Sequence, residues 1–226
     1  METLNKPKLN FEFGYIIGVL LGDGCYTDNN RNDYRISLHK PKIEILEKFE
    51  NFIKNIGLDN YKYRSKNKDS DYDEIYVINK ELKLFLHEIG LKMSKSSDKY
   101  IHTNFLESNK DFRLGILSGL IDTDGSVDVK KVIFTSSSKK MIDSYIELLR
   151  SFNIFGYRDK TYLQVFVTSN NSIDMCNIIK CYNSDRIKNI NLTKDMNYVR
   201  SNNDLVKFIK DGKKYKLTVT AISENG

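Results

Sequence analysis

Apolar residues recur every three or four positions in two stretches of the chain, residues 45–56 and 141–152. This spacing places them on one face of a helix, so each stretch predicts an amphipathic helix that packs on a core. A strand-like run precedes each helix, and a second strand pair and a further apolar helix follow it. The predicted strand regions are residues 34–38, 61–78, 132–136 and 157–168, and the later helices are residues 81–89 and 172–179. The chain is therefore predicted to contain two copies of one α+β unit.

A short apolar segment that ends in Asp-Gly opens each copy. The two segments read IIGVLLGDG, from Ile16, and LSGLIDTDG, from Leu117. We expect each to be a helix whose final glycine adopts a positive φ. A carboxylate in the last turn faces the negative end of the helix dipole, at a cost of up to about 1 kcal/mol. Two such acids, Asp23 and Asp124, therefore indicate a function rather than a contribution to stability.

The segments between and after the two copies have a different composition. Residues 91–110 are rich in Lys, Ser, Asn and Asp, which is typical of a linker, with one ordered stretch expected at residues 100–106. Beyond residue 183 the chain is polar, and we expect a short helix at residues 204–209 and a strand at residues 215–222. The pattern indicates no role for this last region.

Composition narrows the class of protein. Of the 226 residues, 40% are hydrophobic, which suffices for a core and excludes a wholly disordered chain. The 36 Lys and Arg exceed the 30 Asp and Glu, and the net charge of +6 favours a polyanionic partner. Cys25, Cys176 and Cys181 have the spacing of neither a disulfide framework nor a cysteine zinc site. With no long apolar run, we expect an intracellular protein, in a bacterial, archaeal or phage-infected cytoplasm or an organelle matrix, that is neither secreted nor bound to a membrane.

The two nonapeptides, set in the same repeated order of elements, resemble the LAGLIDADG motif of homing endonucleases. LSGLIDTDG is a near-complete match, whereas IIGVLLGDG has Leu21 where the family usually has its first acid. The second half, which contains DFRLGILSGLIDTDGSV, is also similar to the endonuclease portion of inteins. The resemblance implies an α+β fold of two pseudo-symmetric αββαββα halves, with the motif helices packed together and saddle-shaped antiparallel sheets on DNA. Small residues spaced by four, Gly18 with Gly22 and Gly115 with Gly119, fit such close packing.

The resemblance also implies domain boundaries and an activity. We expect a first half at residues 1–98, a linker at 99–111, a second half at 112–200 and a C-terminal extension at 201–226. The implied activity is hydrolysis of both strands of double-stranded DNA at a long, pseudo-palindromic target, leaving short 3′ overhangs. We expect the protein to act as a monomer.

By the same resemblance, Asp23 and Asp124 are the catalytic acids and metal ligands, assisted by the main-chain carbonyls of Gly22 and Thr123. Mg²⁺ is typically held by one or two carboxylates together with substrate phosphates, so one Asp for each DNA strand is sufficient. Mn²⁺ is an expected substitute, and Ca²⁺ is expected to support binding without cleavage. Asp122 has no acidic counterpart in the first motif, which favours a structural role for it.

Two further residues are expected near the catalytic water. The family has a basic residue after the second hairpin of a half, and Lys80 matches that position, whereas the second half has two asparagines there. His39 ends the first strand of its half, where the family often has a polar residue that organises water. Its counterpart in the second half is Ser137 or Ser138.

Alternation along the predicted strands indicates a face for DNA. Every second side chain of a strand lies on the same face, and lysine and arginine recur at that spacing in residues 61–68. Arginine and glutamine in the second half can also read base edges. The residues expected on DNA are Arg31, Arg35, Lys62, Arg64, Lys66, Lys68, Lys130, Arg158, Lys160, Tyr162, Gln164 and Thr168. The alternative is a solvated sheet face whose charges prevent aggregation.

Two other functions fit the same fold. One is an RNA maturase that assists the splicing of an intron, and the other is a catalytically inactive DNA-binding regulator. Loss of the motif acids would favour either of them, and both Asp23 and Asp124 are present. An intron-encoded, an intein-derived and a free-standing protein all fit the sequence.

Overall fold

A computed structural model describes residues 4–26, 34–39, 42–58, 61–64, 74–92, 95–128, 131–159, 161–194, 205–210 and 213–218. The chain divides into two compact units, Met1–Lys194 and Asp195–Gly226. The boundaries expected after residues 98, 111 and 200 stay a prediction. Within the described ranges, every helix is too short or too polar to cross a bilayer.

The first unit repeats one order of elements, as predicted. Its first copy contains α1 (Phe11–Gly22), β1 (Gly24–Cys25), β2 (Arg35–His39), α2 (Ile43–Asn55), β3 (Lys62–Arg64), β4 (Glu74–Ile78) and α3 (Lys80–Ile89). A 3₁₀ turn (Ser96–Asp98) and α4 (Thr103–Leu106) follow. The second copy contains α5 (Lys110–Asp124), β5 (Gly125–Asp128), β6 (Lys131–Thr135), α6 (Lys139–Arg150), β7 (Tyr157–Arg158), β8 (Gln164–Thr168) and α7 (Ser169–Ile178), with α8 (Ser184–Lys194) after it. The αββαββα order thus occurs twice, and the predicted α+β fold is confirmed.

Each copy forms one antiparallel sheet of four strands. The strand orders are β1-β2-β4-β3 and β5-β6-β8-β7. Pairing puts Ile36 of β2 beside Val77 of β4, and Val132 of β6 beside Val167 of β8. These four side chains are buried. Because side chains alternate along a strand, one face of each sheet packs on the core and the other faces away from it.

Asparagine side chains set the first residues of the two motif helices. The side chain of Asn10 accepts a hydrogen bond from the main-chain N–H of Phe13 at 3.0 Å, at the start of α1. Asn109 accepts from the N–H of Phe112 at 3.0 Å, at the start of α5. Such a cap satisfies an N–H that has no partner within the helix and typically contributes about 1 kcal/mol.

Helices α1 and α5 pack against each other through glycine. A Cβ added to Gly18 would overlap the carbonyl oxygen of Ile116, and one added to Gly119 would overlap that of Tyr15. The same holds for Gly14 and Gly115. Because the obstructing atoms belong to the main chain, no side-chain rotation can make room for a larger residue. The predicted close packing of the motif helices is therefore confirmed.

The second unit contains a β-hairpin. Strand β9 (Leu205–Lys210) pairs antiparallel with β10 (Lys213–Thr218), and Lys210 pairs with Lys213. The two residues between them are Asp and Gly, the sequence most typical of a two-residue hairpin connection. The helix expected at residues 204–209 is therefore wrong. The strand expected at residues 215–222 is confirmed as far as residue 218, and its remainder lies outside the described residues.

Candidate active site

The two motif aspartates lie at adjacent ends of the central helices. Asp23 follows α1, and its main-chain N–H donates to the carbonyls of Val19 and Leu20. Asp124 is the last residue of α5. A Cβ added to Gly22 would lie 3.4 Å from a carboxylate oxygen of Asp124. The end of one motif helix is thus in contact with the end of the other.

Burial raises the pKa of both carboxyl groups, and the charge of Asp23 raises that of Asp124 further. The pKa of Asp124 is raised to about 6, first by burial and then by the negative charge of Asp23. Burial also raises the pKa of Asp23, while the positive charges of Lys99 and His39 oppose that rise. The two acids therefore interact, and a cation near them favours their ionised forms.

The glycine after each aspartate allows close approach of the chain rather than an unusual backbone angle. Gly125 has a φ of −87°, and the positive φ expected for it is wrong. A Cβ on Gly125 would lie 2.6 Å from the Cα of Ile121, and one on Gly24 would lie 2.6 Å from the Cα of Leu20. The strand that starts at each glycine therefore folds directly back over the last turn of its own helix.

A lysine from the predicted linker lies beside both acids. The ammonium of Lys99 donates to the carbonyl oxygens of Gly24 at 2.8 Å, Gly22 at 3.0 Å and Leu20 at 3.4 Å. Lys99 is only 7% exposed. Burial lowers its pKa, and the charges of the two motif aspartates oppose that shift. Lys99 is the functional candidate that the sequence did not reveal, and its only local signal is the apolar Ile101 that follows.

The structure places Lys80 away from the acids, contrary to its predicted place beside the catalytic water. Lys80 begins α3, directly after β4, whose last residue Ile78 pairs with Arg35. Arg35 and His39 are opposite ends of β2, about 13 Å apart at the usual rise of a strand. The ammonium of Lys80 lies 5.6 Å from the ring centroid of Tyr34, near the far end of that strand. Lys99 therefore replaces Lys80 as the candidate basic residue beside the acids.

His39 lies at the end of β2 that adjoins the acids. Its Nε2 is 3.3 Å from the hydroxyl of Ser37 and 3.8 Å from a carboxylate oxygen of Glu74. On the other side of the site, Ser137 lines the cleft that contains Asp124 and Lys99. Ser138 is fully buried and caps α6, so it is not the water-facing counterpart of His39.

The donor atoms of this site suit a hard divalent cation. They are oxygens: the carboxylates of Asp23 and Asp124, and main-chain carbonyls such as that of Gly22. Such ligands match Mg²⁺, which binds few protein groups and keeps several waters. Among the described residues, no group of three or more His, Cys, Asp or Glu forms a site by itself, so substrate and water would supply the remaining ligands. When both acids are ionised, Lys99 balances only one of their charges, which favours a further cation.

In the first sheet, the predicted DNA-binding residue Arg35 is engaged with its neighbours. A guanidinium nitrogen of Arg35 lies 2.6 Å from a carboxylate oxygen of Glu74, and its central carbon lies 4.0 Å from the ring centroid of Tyr76. Lys62 is exposed and pairs with Tyr76, so it lies on the same face. The side chain of Arg64 and the residues Arg31, Lys66, Lys68, Lys130 and Lys160 lie outside the described part of the chain.

In the second sheet, Arg158 lies on the opposite face from the one predicted. It pairs with Val165, a buried residue, and it forms an ion pair of 3.1 Å with Asp143 of α6. The strand ends at Arg158, and a turn follows it. Side chains therefore do not alternate between the two faces without a break, contrary to the sequence prediction. Gln164 and Thr168 do lie on the face away from the core. Tyr162 is 66% exposed and belongs to the turn rather than to a strand.

The third motif acid, Asp122, has a structural place in the fold. It is almost fully buried, and its carboxylate accepts hydrogen bonds from the hydroxyl of Tyr15 at 2.7 Å and the N–H of Tyr182 at 2.6 Å. The N–H of Asn183 donates to its other oxygen at 3.3 Å. Asp122 thus joins α5 to α1 and to the chain before α8, which agrees with the structural role favoured for it.

The chain matches a known domain family and has a relative among known proteins. The chain matches the profile of the LAGLIDADG-like domain over residues 10–90 and 111–183. It is 34% identical over 159 residues to the DNA-directed RNA polymerase subunit Rpo1C of Methanocaldococcus jannaschii. That match covers 70% of this chain and 18% of the relative, so the chain spans less than a fifth of the relative's length.

Solved structures with the same fold have low sequence identity to this chain. The homing endonuclease I-DmoI in complex with DNA and Ca aligns with a TM-score of 0.56 at 14% identity, over 76% of this chain and 91% of that one. A variant of I-DmoI with one glycine replaced by serine has been solved with its target DNA in the presence of Mg. Full-length DUF199/WhiA from Thermatoga maritima aligns with a TM-score of 0.55 at 11% identity, over 88% of this chain and 66% of that one.

Proposed function

The chain belongs to the family of LAGLIDADG-like domains, and on that premise we propose that it is a metal-dependent endonuclease that cuts both strands of double-stranded DNA at a specific site. One observation carries the proposal. Two partly buried carboxylates, Asp23 and Asp124, meet at the ends of the paired helices beside the buried ammonium of Lys99. Carboxylates at two helix C-termini oppose helix stability, so chemistry explains the two aspartates better than folding does.

In this proposal, Asp23 and Asp124 hold divalent cations, with the main-chain carbonyls of Gly22 and Thr123 as further ligands. A bound cation would stabilise charge on the phosphate and lower the pKa of a bound water. Mg²⁺ is the proposed ion and Mn²⁺ its substitute, whereas Ca²⁺ supports binding without cleavage. The Mg and Ca complexes of I-DmoI support divalent metals as a class.

The protein's own side chains supply the remaining parts of the site. Lys99 provides a positive charge that attracts a phosphate group and partly offsets the repulsion between the two acids. His39 lies at the adjacent end of β2 with a half-exposed ring, which suits it to orient water near Asp23. Both roles require only that a phosphodiester enter the cleft lined by Gly22, Lys99, Asp124 and Ser137.

The faces of the two sheets that point away from the core are the proposed DNA-binding surface. Arg35 and Lys62 on the first sheet, Gln164 and Thr168 on the second, and Tyr162 in the adjoining turn are the described residues of this surface. We retain Arg31, Arg64, Lys66, Lys68, Lys130 and Lys160 in it as predictions. The net charge of +6 supports binding to a polyanion. We propose further that the protein acts as a monomer on a long, pseudo-palindromic target and that cleavage leaves short 3′ overhangs.

A selection experiment tests this function directly. Purified protein is incubated with a randomised or genomic DNA pool in Mg²⁺ or in Ca²⁺, beside the double variant Asp23→Asn, Asp124→Asn. The proposal predicts recovery of one long site, cut by the wild type in Mg²⁺ and bound but not cut by the double variant. Tight binding without cleavage in either metal would instead indicate a regulator, and binding to structured intron RNA alone would indicate a maturase.

A further inference from the structure

The segment that carries Lys99 belongs to no helix or strand, so its main chain must be held by other contacts. Two serines provide them. The hydroxyl of Ser138 donates to the carbonyl oxygen of Lys99 at 2.7 Å. The hydroxyl of Ser144 accepts from the N–H of Ile101 at 3.0 Å. Ser138 caps α6 and Ser144 lies within it, and we refer to the pair as the serine clasp.

We propose that the serine clasp positions Lys99 in the active site. This inference rests on the proposed function, in which Lys99 is the basic residue beside the two acids. The clasp fixes the main chain of Lys99 against the second copy, while the ammonium reaches the carbonyls at the end of α1 in the first copy. Ser138 and Ser144 act through Lys99, so both are positioning residues rather than catalytic ones.

Burial makes these two hydrogen bonds hard to replace. Ser138 is fully buried, Ser144 is 8% exposed and Ile101 is 2% exposed, so water has little access to the main-chain groups involved. The hydroxyl of Ser138 donates to Lys99 and also accepts from the N–H of Met141 at 3.2 Å. A hydroxyl combines a donor and an acceptor in a very small volume. Loss of the hydroxyl leaves a buried carbonyl without that donor, which favours displacement of the segment.

The first copy shows that the repeated fold does not itself require this serine. The residue at the corresponding start of α2 is Lys42, which makes no side-chain cap. Its ammonium instead forms an ion pair of 3.4 Å with Asp185, and both side chains are well exposed. A buried hydroxyl is therefore found where the segment that bears Lys99 packs, and a solvated ion pair is found at the equivalent place in the other copy.

Glycine variants separate positioning from helix capping. Glycine at an N-cap weakens a helix much less than alanine does, so Ser138→Gly deletes one half of the clasp while leaving α6 largely intact. Asn79→Gly is the matched control, because Asn79 caps α3 through the N–H of Leu82 at 2.8 Å and belongs to no proposed site. Ser138→Thr keeps the hydroxyl and tests rescue. Ser144→Ala removes the other half of the clasp and leaves the cap of α6 in place.

Two readouts are measured on the full-length protein. The first is cleavage of the selected site, as kcat and KM. The second, which does not depend on activity, is the rate of reductive methylation of Lys99, followed by peptide mass spectrometry. We expect Ser138→Gly to lower kcat about tenfold at unchanged KM and to raise the methylation rate of Lys99 about tenfold. Asn79→Gly should change neither, and Ser138→Thr should restore both.

The outcomes are distinguishable from failure of the proposed function. If Lys99 of the wild type is methylated slowly by the reagent but the wild type never cuts DNA, the nuclease is refuted. The methylation rates of the variants still decide whether the clasp holds Lys99. The inference would be overturned if Ser138→Gly and Ser144→Ala both showed the same rates of Lys99 methylation and DNA cleavage as the wild type. Equal losses in Ser138→Gly and Asn79→Gly would also overturn it, because the effect would then come from helix stability. If Ser138→Gly fails to fold, Ser144→Ala decides between the same two results.

Discussion

Replacing Gly119 by alanine tests whether the central helices depend on main-chain contact. In the interior of a helix, alanine is normally more stable than glycine by about 1 kcal/mol, so helix propensity alone predicts that Gly119→Ala stabilises the protein. Here the new methyl would overlap the carbonyl oxygen of Tyr15 and lie 2.8 Å from the nitrogen of Val19. Both obstructing atoms are main chain, so the helices must separate along their whole contact.

The expected magnitude follows from these two opposing effects. Overpacking of a core costs about 1–3 kcal/mol, and contact with a rigid main chain places this site at the upper end of that range. Subtracting the gain in helix propensity leaves a net loss of about 2 kcal/mol in the free energy of unfolding. Urea denaturation followed by circular dichroism measures it, with the exposed α2 variant Asn51→Ala as the control. A Gly119→Ala protein that is as stable as wild type, or more stable, would refute the packing argument.

Three other results are expected. Tyr15→Phe should lower the free energy of unfolding by about 2 kcal/mol, because it removes a buried 2.7 Å hydrogen bond to the carboxylate of Asp122. A change under about 0.5 kcal/mol in urea denaturation would contradict this. Arg158→Ala should lower the free energy of unfolding by less than about 1 kcal/mol, since the ion pair of Arg158 with Asp143 is partly exposed. It should leave the recognised DNA sequence unchanged, because Arg158 lies on the core side of the sheet, and an altered target in the selection experiment would refute that placement. If DNA binding neutralises about six to eight phosphates, log affinity should fall against log salt concentration with a slope of roughly −5 to −7 in a titration, whereas a slope near zero would exclude a phosphate-dominated interface.

Local pattern predicts much of this fold because each copy follows simple rules. The apolar spacing of residues 45–56 and 141–152 corresponds to α2 and α6, and the strands that flank them lie within a few residues of their expected positions. The Asp-Gly motifs also indicate both acids. These features depend on residues close together in the chain, which is where periodicity and helix-end preferences act.

The parts that the sequence did not reveal depend on contacts between distant segments. Lys99 lies in a stretch with the composition of a linker, and its main chain is hydrogen-bonded to Ser138, thirty-nine residues later. Lys80 has a suitable position in the sequence but lies at the wrong end of its sheet. Arg158 changes face because a turn interrupts the alternation of the strand. None of these outcomes follows from residue type and spacing alone.

The proposed active site requires that Lys99, and not Lys80, serve the two motif aspartates. The most direct test compares Lys99→Met with Lys80→Met on the DNA site recovered by selection, with cleavage rates in Mg²⁺ and affinities in Ca²⁺. We expect Lys99→Met to bind DNA normally and to cleave it at least about 100-fold more slowly, as loss of an electrostatic group in an active site typically does. Lys80→Met should cleave at the wild-type rate. A fully active Lys99→Met protein, or a loss of cleavage confined to Lys80→Met, would contradict the active site described above.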